Sequence, residues 1–169
     1  MPTNNFESKT LVMENKLVRS LLAGVVATAV MTGVTFMAPM MGFPKMNPAE
    51  MLSGMLGVSP VLGWLMHFMI GIIFAVVYVY LFNPRVHIHS RAGKGLVYGI
   101  VVFVFAQVMM FLMSKLMPMA SDSMENNMVL MMIGSLIGHL VFGLFVGLLV
   151  PLEEPAGAHD NLKHRYEPS

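Results

Sequence analysis

The sequence predicts an all-α, polytopic membrane protein: an up-and-down four-helix transmembrane bundle made from two similar helical hairpins. Two observations carry the fold class. Uncharged apolar runs at 21–38, 61–82, 96–113 and 128–150 are 18, 22, 18 and 23 residues long. At ~1.5 Å of helical rise per residue, each can cross a hydrocarbon core of ~30 Å. Their hydrophobicity is continuous rather than alternating, so helix, which satisfies its own backbone in lipid, is the expected conformation. Hydrophobic residues make up 56% of the 169-residue chain and charged ones 11%, a balance that would aggregate a soluble domain of this size.

The elements follow in order. Residues 1–16 are polar and read as a cytoplasmic N-terminal segment; no small-residue cleavage signal precedes the first run, so its helix is expected to be retained. The first span is expected over 17–38. In the outer segment 39–60, Asn47-Pro48-Ala49-Glu50 supplies an N-cap, a proline at the first helical position and a capping glutamate, predicting a short surface helix over 48–56. Spans at 61–82, 95–117 and 128–150 complete the membrane domain, and the hydrophilic tail 151–169 reads as flexible and cytoplasmic.

Charge sets the orientation. Lys9, Lys16 and Arg19 precede the first span, Arg85, Arg91 and Lys94 lie between the second and third, and Lys163 and Arg165 follow the fourth, whereas only Lys45 and Lys115 fall on the opposite side. The positive-inside rule then places both termini in the cytoplasm. A net charge of +1, with no basic run interleaved with aromatics, gives no reason to expect nucleic-acid binding. The lipid bilayer is the expected partner. Arg85, Arg91 and Lys94, beside His87-Ile88-His89, are expected to meet anionic headgroups. With no cysteine, thiolate metal sites and thiol redox chemistry are excluded.

The two halves resemble each other. The stretch from Arg19 to Val26 lies parallel to that from Lys94 to Val101, and His67 to Gly71 parallels His139 to Gly143. Two hairpins entering the membrane in the same sense imply a pseudo-two-fold axis along the membrane normal. This alignment sets Gln107 beside Thr32 as a natural hydrogen-bond partner for an intramembrane histidine.

Small residues predict where helices approach. Gly134 with Gly138 and Gly143 with Gly147 are four-residue spacings, and Gly24, Thr28 and Thr32 give the first span a similar face. Gly71 follows His67 by four residues, as Gly143 follows His139. Those two glycines could leave space for a group bound between the imidazoles.

His67 and His139 are the intramembrane imidazoles. Residues of this kind face the bundle interior, where they either hydrogen-bond to Thr, Ser or Gln or ligate a haem iron or a copper ion. Most of the twenty methionines lie in outer loops or outer halves of spans. Pairs at helical spacing, Met110 with Met113 and Met128 with Met131, could give thioether ligation to Cu(I), but methionine is also an adaptable packing residue. No paired carboxylates, activated nucleophile or phosphate-cradling glycine loop occurs in the spans, so no enzyme is expected.

Gly24-Val25-Val26-Ala27-Thr28, Gly63-Trp64 with His67 and Gly71, Leu96-Val97-Tyr98-Gly99, and Gly138-His139 with Phe142-Gly143 resemble a family of small bacterial four-span membrane proteins, a domain of unknown function. The resemblance covers roughly residues 16–150. It implies the four-helix topology and no catalytic residues. The leading expectation is a non-enzymatic structural or accessory protein, acting alone, as a homodimer or in a larger membrane complex. Alternatives are a haem- or copper-binding protein and a small-solute transporter acting as an oligomer.

Overall fold

The computed structural model of the chain describes residues 4–116 and 128–152, with side chains from Met13 onward. The outer loop 118–127, Met117, and the tail from 153 with Lys163 and Arg165 lie outside the described residues. Among those described, the chain is helical without strands: α1 Asn4–Met37, a 3-10 turn Ala38–Met41, α2 Pro48–Leu56, α3 Pro60–Val77, a π-helical turn Tyr78–Phe82, α4 Asn83–Arg85, α5 Arg91–Leu116 and α6 Met128–Leu149. Four segments are long and apolar enough to cross a membrane, at Met13–Met41, Pro60–Arg85, Arg91–Leu116 and Met128–Leu149.

The first helix starts well before residue 17. No proline lies between Pro2 and Pro39, so the polar segment continues as helix into the span without a break. At its far end Pro39 enters the 3-10 turn, and Gly42 at φ +84° reverses the chain.

Local chemistry also fixes α2. The Asn47 side chain accepts hydrogen bonds from the amides of Ala49 (3.1 Å) and Glu50 (3.3 Å), and Gly57 at φ +65° closes the other end. The helix then folds back on the start of α3, where Gly63 lets the Ala49 carbonyl approach. Asn47→Ala is expected to cost about 1 kcal/mol, read as a lower thermal midpoint in detergent, because Asn47 is buried and water cannot replace the cap. At the far end of the second span, Pro84 has no amide to donate. The Arg85 guanidinium donates to the Tyr80 carbonyl, which an amide at residue 84 would reach in an α-helix, at 3.5 Å, and to the Leu81 carbonyl at 3.0 Å.

Two antiparallel ladders build the bundle. Along α1 and α3, Gly24 lies against Ile72 and Ala75, Thr28 against Gly71, Thr32 against His67 and Phe36 against Trp64. Along α5 and α6, Gly95 lies against Gly147, Gly99 against Gly143 and Phe103 against His139. In each ladder a step of four residues up one helix matches a similar step down its partner. The ladders join where α1 packs on α6, with Met31 and Thr35 over Gly138.

The core at the end where α1 begins is aromatic. Tyr78, Phe82 and Tyr98 pack with ring centroids 4.9 to 5.8 Å apart, and the Tyr98 hydroxyl donates to the Phe74 carbonyl at 2.6 Å. Lys94, expected among the headgroups with Arg85 and Arg91, is instead buried. Its ammonium donates to the backbone and side-chain oxygens of Asn83, both at 3.0 Å. The Asn83 carboxamide in turn donates to the Pro151 carbonyl at 3.0 Å, clasping the ends of the second and fourth spans to the start of the third. Arg85 and Arg91 are exposed.

Candidate functional site

The polar interior is a seam along α1. Thr28, Thr32 and Thr35 recur at helical spacing, and all three are buried. Thr32 donates its hydroxyl proton to the Thr28 carbonyl at 2.7 Å, and Thr35 donates to the Thr32 carbonyl at 2.9 Å. The Thr28 hydroxyl, buried without a partner among the described residues, fills the space that Gly71 leaves by lacking a Cβ.

His67 bonds across to this seam. Its Nε2 lies 3.0 Å from Thr32 Oγ1, and the single Thr32 proton is already given to Thr28, so Nε2 donates. Trp64 and Phe68 pack edge-on around the same ring. His139 solves its burial differently. Its Nδ1 donates to the Ser135 carbonyl one turn back at 2.7 Å, while Phe103 packs edge-on from α5. In the neutral state the two rings are then opposite tautomers, with bare nitrogens at Nδ1 of His67 and Nε2 of His139.

Gln107 bonds neither imidazole. The ladders show why: the residue facing His139, as Thr32 faces His67, is Phe103, and Gln107 lies one turn farther along α5. Sequence likeness had set α5 off by one turn, a slip that low-complexity apolar helices permit. The signal that could have found Ser135 is its position four residues before His139, where a helical side chain reaches back.

Nor do the glycines beside the histidines leave room for a group. The space at Gly71 is taken by the Thr28 side chain, and that at Gly143 by the backbone of Gly95 and Gly99. Gly24 and Gly147 likewise face the backbones of Ile72 and Gly95, at 2.7 Å from where a Cβ would stand. Gly134 and Gly138 face the side chains of Met46, Met31 and Thr35. A haem plane does not fit against the faces of His67 and His139 that carry Gly71 and Gly143. Copper needs less room, and the two bare imidazole nitrogens suit it. Met110, Met113 and Met131 are half-buried and Met128 is exposed. Among the described residues no three His, Cys, Asp or Glu side chains gather as a metal cluster.

A family model, Family of unknown function (DUF6789), matches residues 14–160, nearly the whole chain. The chain belongs to the DUF6789 family. The DUF6789 match takes in all four apolar helices and both histidines. Comparison with curated proteins and with solved structures finds no match.

Proposed function

We propose that this DUF6789 chain is a non-enzymatic, multi-pass protein of a bacterial cytoplasmic membrane, a structural or accessory component built from a duplicated helical hairpin. The observation that carries the reading is the use made of the interior: the imidazoles bond to Thr32 and Ser135, and neighbouring helices fill the spaces at Gly71 and Gly143. Duplication is supported by the two glycine-faced ladders, in the register that matches Gly71 to Gly143 and Thr32 to Phe103. Val104, Phe105, Val108, Phe111 and Leu112 leave an apolar face on α5 for lipid, a second copy or a larger complex.

Both termini are assigned to the cytoplasm on charge. Lys16, Arg19, Arg85, Arg91 and Lys94 gather at one end and Lys45 and Lys115 at the other. A reporter fused after Ser169 is expected to label the cytoplasmic side, and one inserted near Ser123 the outer side. Labelling of both on one side would remove the fourth crossing.

A second reading, copper held by the two imidazoles, is favoured by the bare nitrogen that each ring keeps. Outer methionines would supply further soft ligands.

A further inference from the structure

We propose that Met41, with Met40 beside it, is a sacrificial oxidation site that consumes small oxidants of the hypohalous-acid class before they reach Met46. Met40 and Met41 are 85% and 76% exposed, whereas Met46 is 7% exposed. The exposed pair lies just beyond the apolar run 21–38, which sets it at the membrane–water interface, within reach of a dissolved oxidant. A cavity of about 60 Å³ lies beside it, and the lining includes Ala38, Met41, Phe43, Thr35 of α1 and Gly134 of α6. That volume exceeds the ~10–15 Å³ that one water needs, so a triatomic acid can enter. Gly134 is also where Met46 packs. The Met46 Cε fills the space that the glycine leaves, with Sδ 3.2 Å from where a Cβ would stand, and Phe43 borders the same point at 3.6 Å. The cavity thus ends beside the Met46 thioether, with Met41 in its wall.

Oxidation has opposite consequences at the two sulfurs. In each case the thioether gives two electrons to hypochlorous acid and gains an oxygen atom, while chloride and a proton are released. At Met41 the sulfoxide oxygen reaches water. The turn beneath it is held by backbone, the Gly42 amide donating to the Pro39 carbonyl and the Phe43 amide to the Ala38 carbonyl, both at 3.1 Å, so it survives a change of side chain. At Met46 the same oxygen would be buried against α6. Thr35, the hydroxyl in the cavity lining, already donates to the Thr32 carbonyl and has no second proton to offer. An acceptor left there without a donor would loosen the contact of Met46 with α6. A thioether that tolerates oxidation thereby protects one that does not. Sulfoxide reductases, taking two electrons from a thiol pair and releasing water, would return Met41 to the thioether form. This chemistry is independent of the proposed function and of which side of the membrane that end occupies.

The test treats the full-length protein in non-ionic detergent with limiting hypochlorous acid, below one equivalent per methionine. Sulfoxide occupancy at each methionine is read by peptide mass spectrometry, beside the thermal midpoint. Met40 and Met41 are expected to reach about fivefold or more the occupancy of Met46, with the midpoint unchanged until Met46 is modified. Met41→Leu and the longer, equally sulfur-free Met41→Gln are each expected to raise Met46 occupancy at a given dose about twofold or more, the pair separating lost sulfur from lost bulk. Met69→Leu, which removes an exposed methionine from outside the cavity lining, is expected to change it less than about 1.3-fold. Equal occupancy at Met41 and Met46 in the parent overturns the proposal. So does parental Met46 occupancy in either Met41 variant, an equal rise in Met69→Leu, or a midpoint that falls while Met46 is still unmodified.

Discussion

Gly143→Leu is expected to lower the stability of the detergent-solubilised protein by about 3 kcal/mol or more, at or above the top of the ~1–3 kcal/mol range typical of overpacking. The reason is what its side chain would meet. A Cβ on Gly143 would lie 2.5 Å from the Gly99 nitrogen and 2.6 Å from its Cα, with the Gly95 carbonyl also in contact. Backbone cannot rotate aside as a side chain can, so α5 and α6 would have to separate along the ladder. Gly147→Leu meets the Arg91 carbonyl and Gly95 Cα and is expected to behave alike. Gly33→Leu is the comparison, because a Cβ there has no neighbour within 4 Å. It should stay within about 0.5 kcal/mol of the parent. Equal thermal midpoints for Gly143→Leu and Gly33→Leu would mean that the α5–α6 interface is not formed.

Asn83→Leu is expected to cost about 3 kcal/mol, by a different mechanism. Lys94 is 3% exposed, and one of its two Asn83 acceptors is the carboxamide oxygen that the substitution removes. Hydrogen bonds to charged groups are worth about 1.5–3 kcal/mol, and the Pro151 carbonyl loses its donor at the same time. Asn83→Asp keeps an acceptor for Lys94 but loses the donor to Pro151, so its midpoint should fall between those of the parent and Asn83→Leu. A stability series in detergent reads all three. Parental stability in Asn83→Leu would show that the clasp contributes nothing.

Run length and hydropathy made the four apolar helices legible, because these properties depend on composition alone. The capping chemistry of Asn47 and Pro48 made α2 legible in the same way, with bounds matching the 48–56 expected. What the sequence withheld was register between helices. Nothing in apolar side chains with one-turn periodicity distinguishes Phe103 from Gln107 as the residue opposite His139. Gly95 and Gly99, half of the α5–α6 ladder, drew no attention as packing positions because they show that role only against Gly147 and Gly143. Lys94 looked like an interfacial charge beside Arg85 and Arg91. Its burial depends on Asn83, eleven residues earlier and beyond a turn whose geometry no local motif fixes.

The account centres on an interior whose histidines serve the bundle rather than a cofactor. The most direct measurement is the visible absorption and metal content of the full-length protein, expressed with excess haem precursor and copper, then purified in detergent beside His67→Ala, His139→Ala and the double variant. The account predicts a colourless, metal-free and well-folded parent. Removing either histidine would lower stability by on the order of 1 kcal/mol, through hydrogen bonds lost at Thr32 and Ser135. A Soret band or stoichiometric copper in the parent, lost as completely in each single variant as in the double, would contradict it.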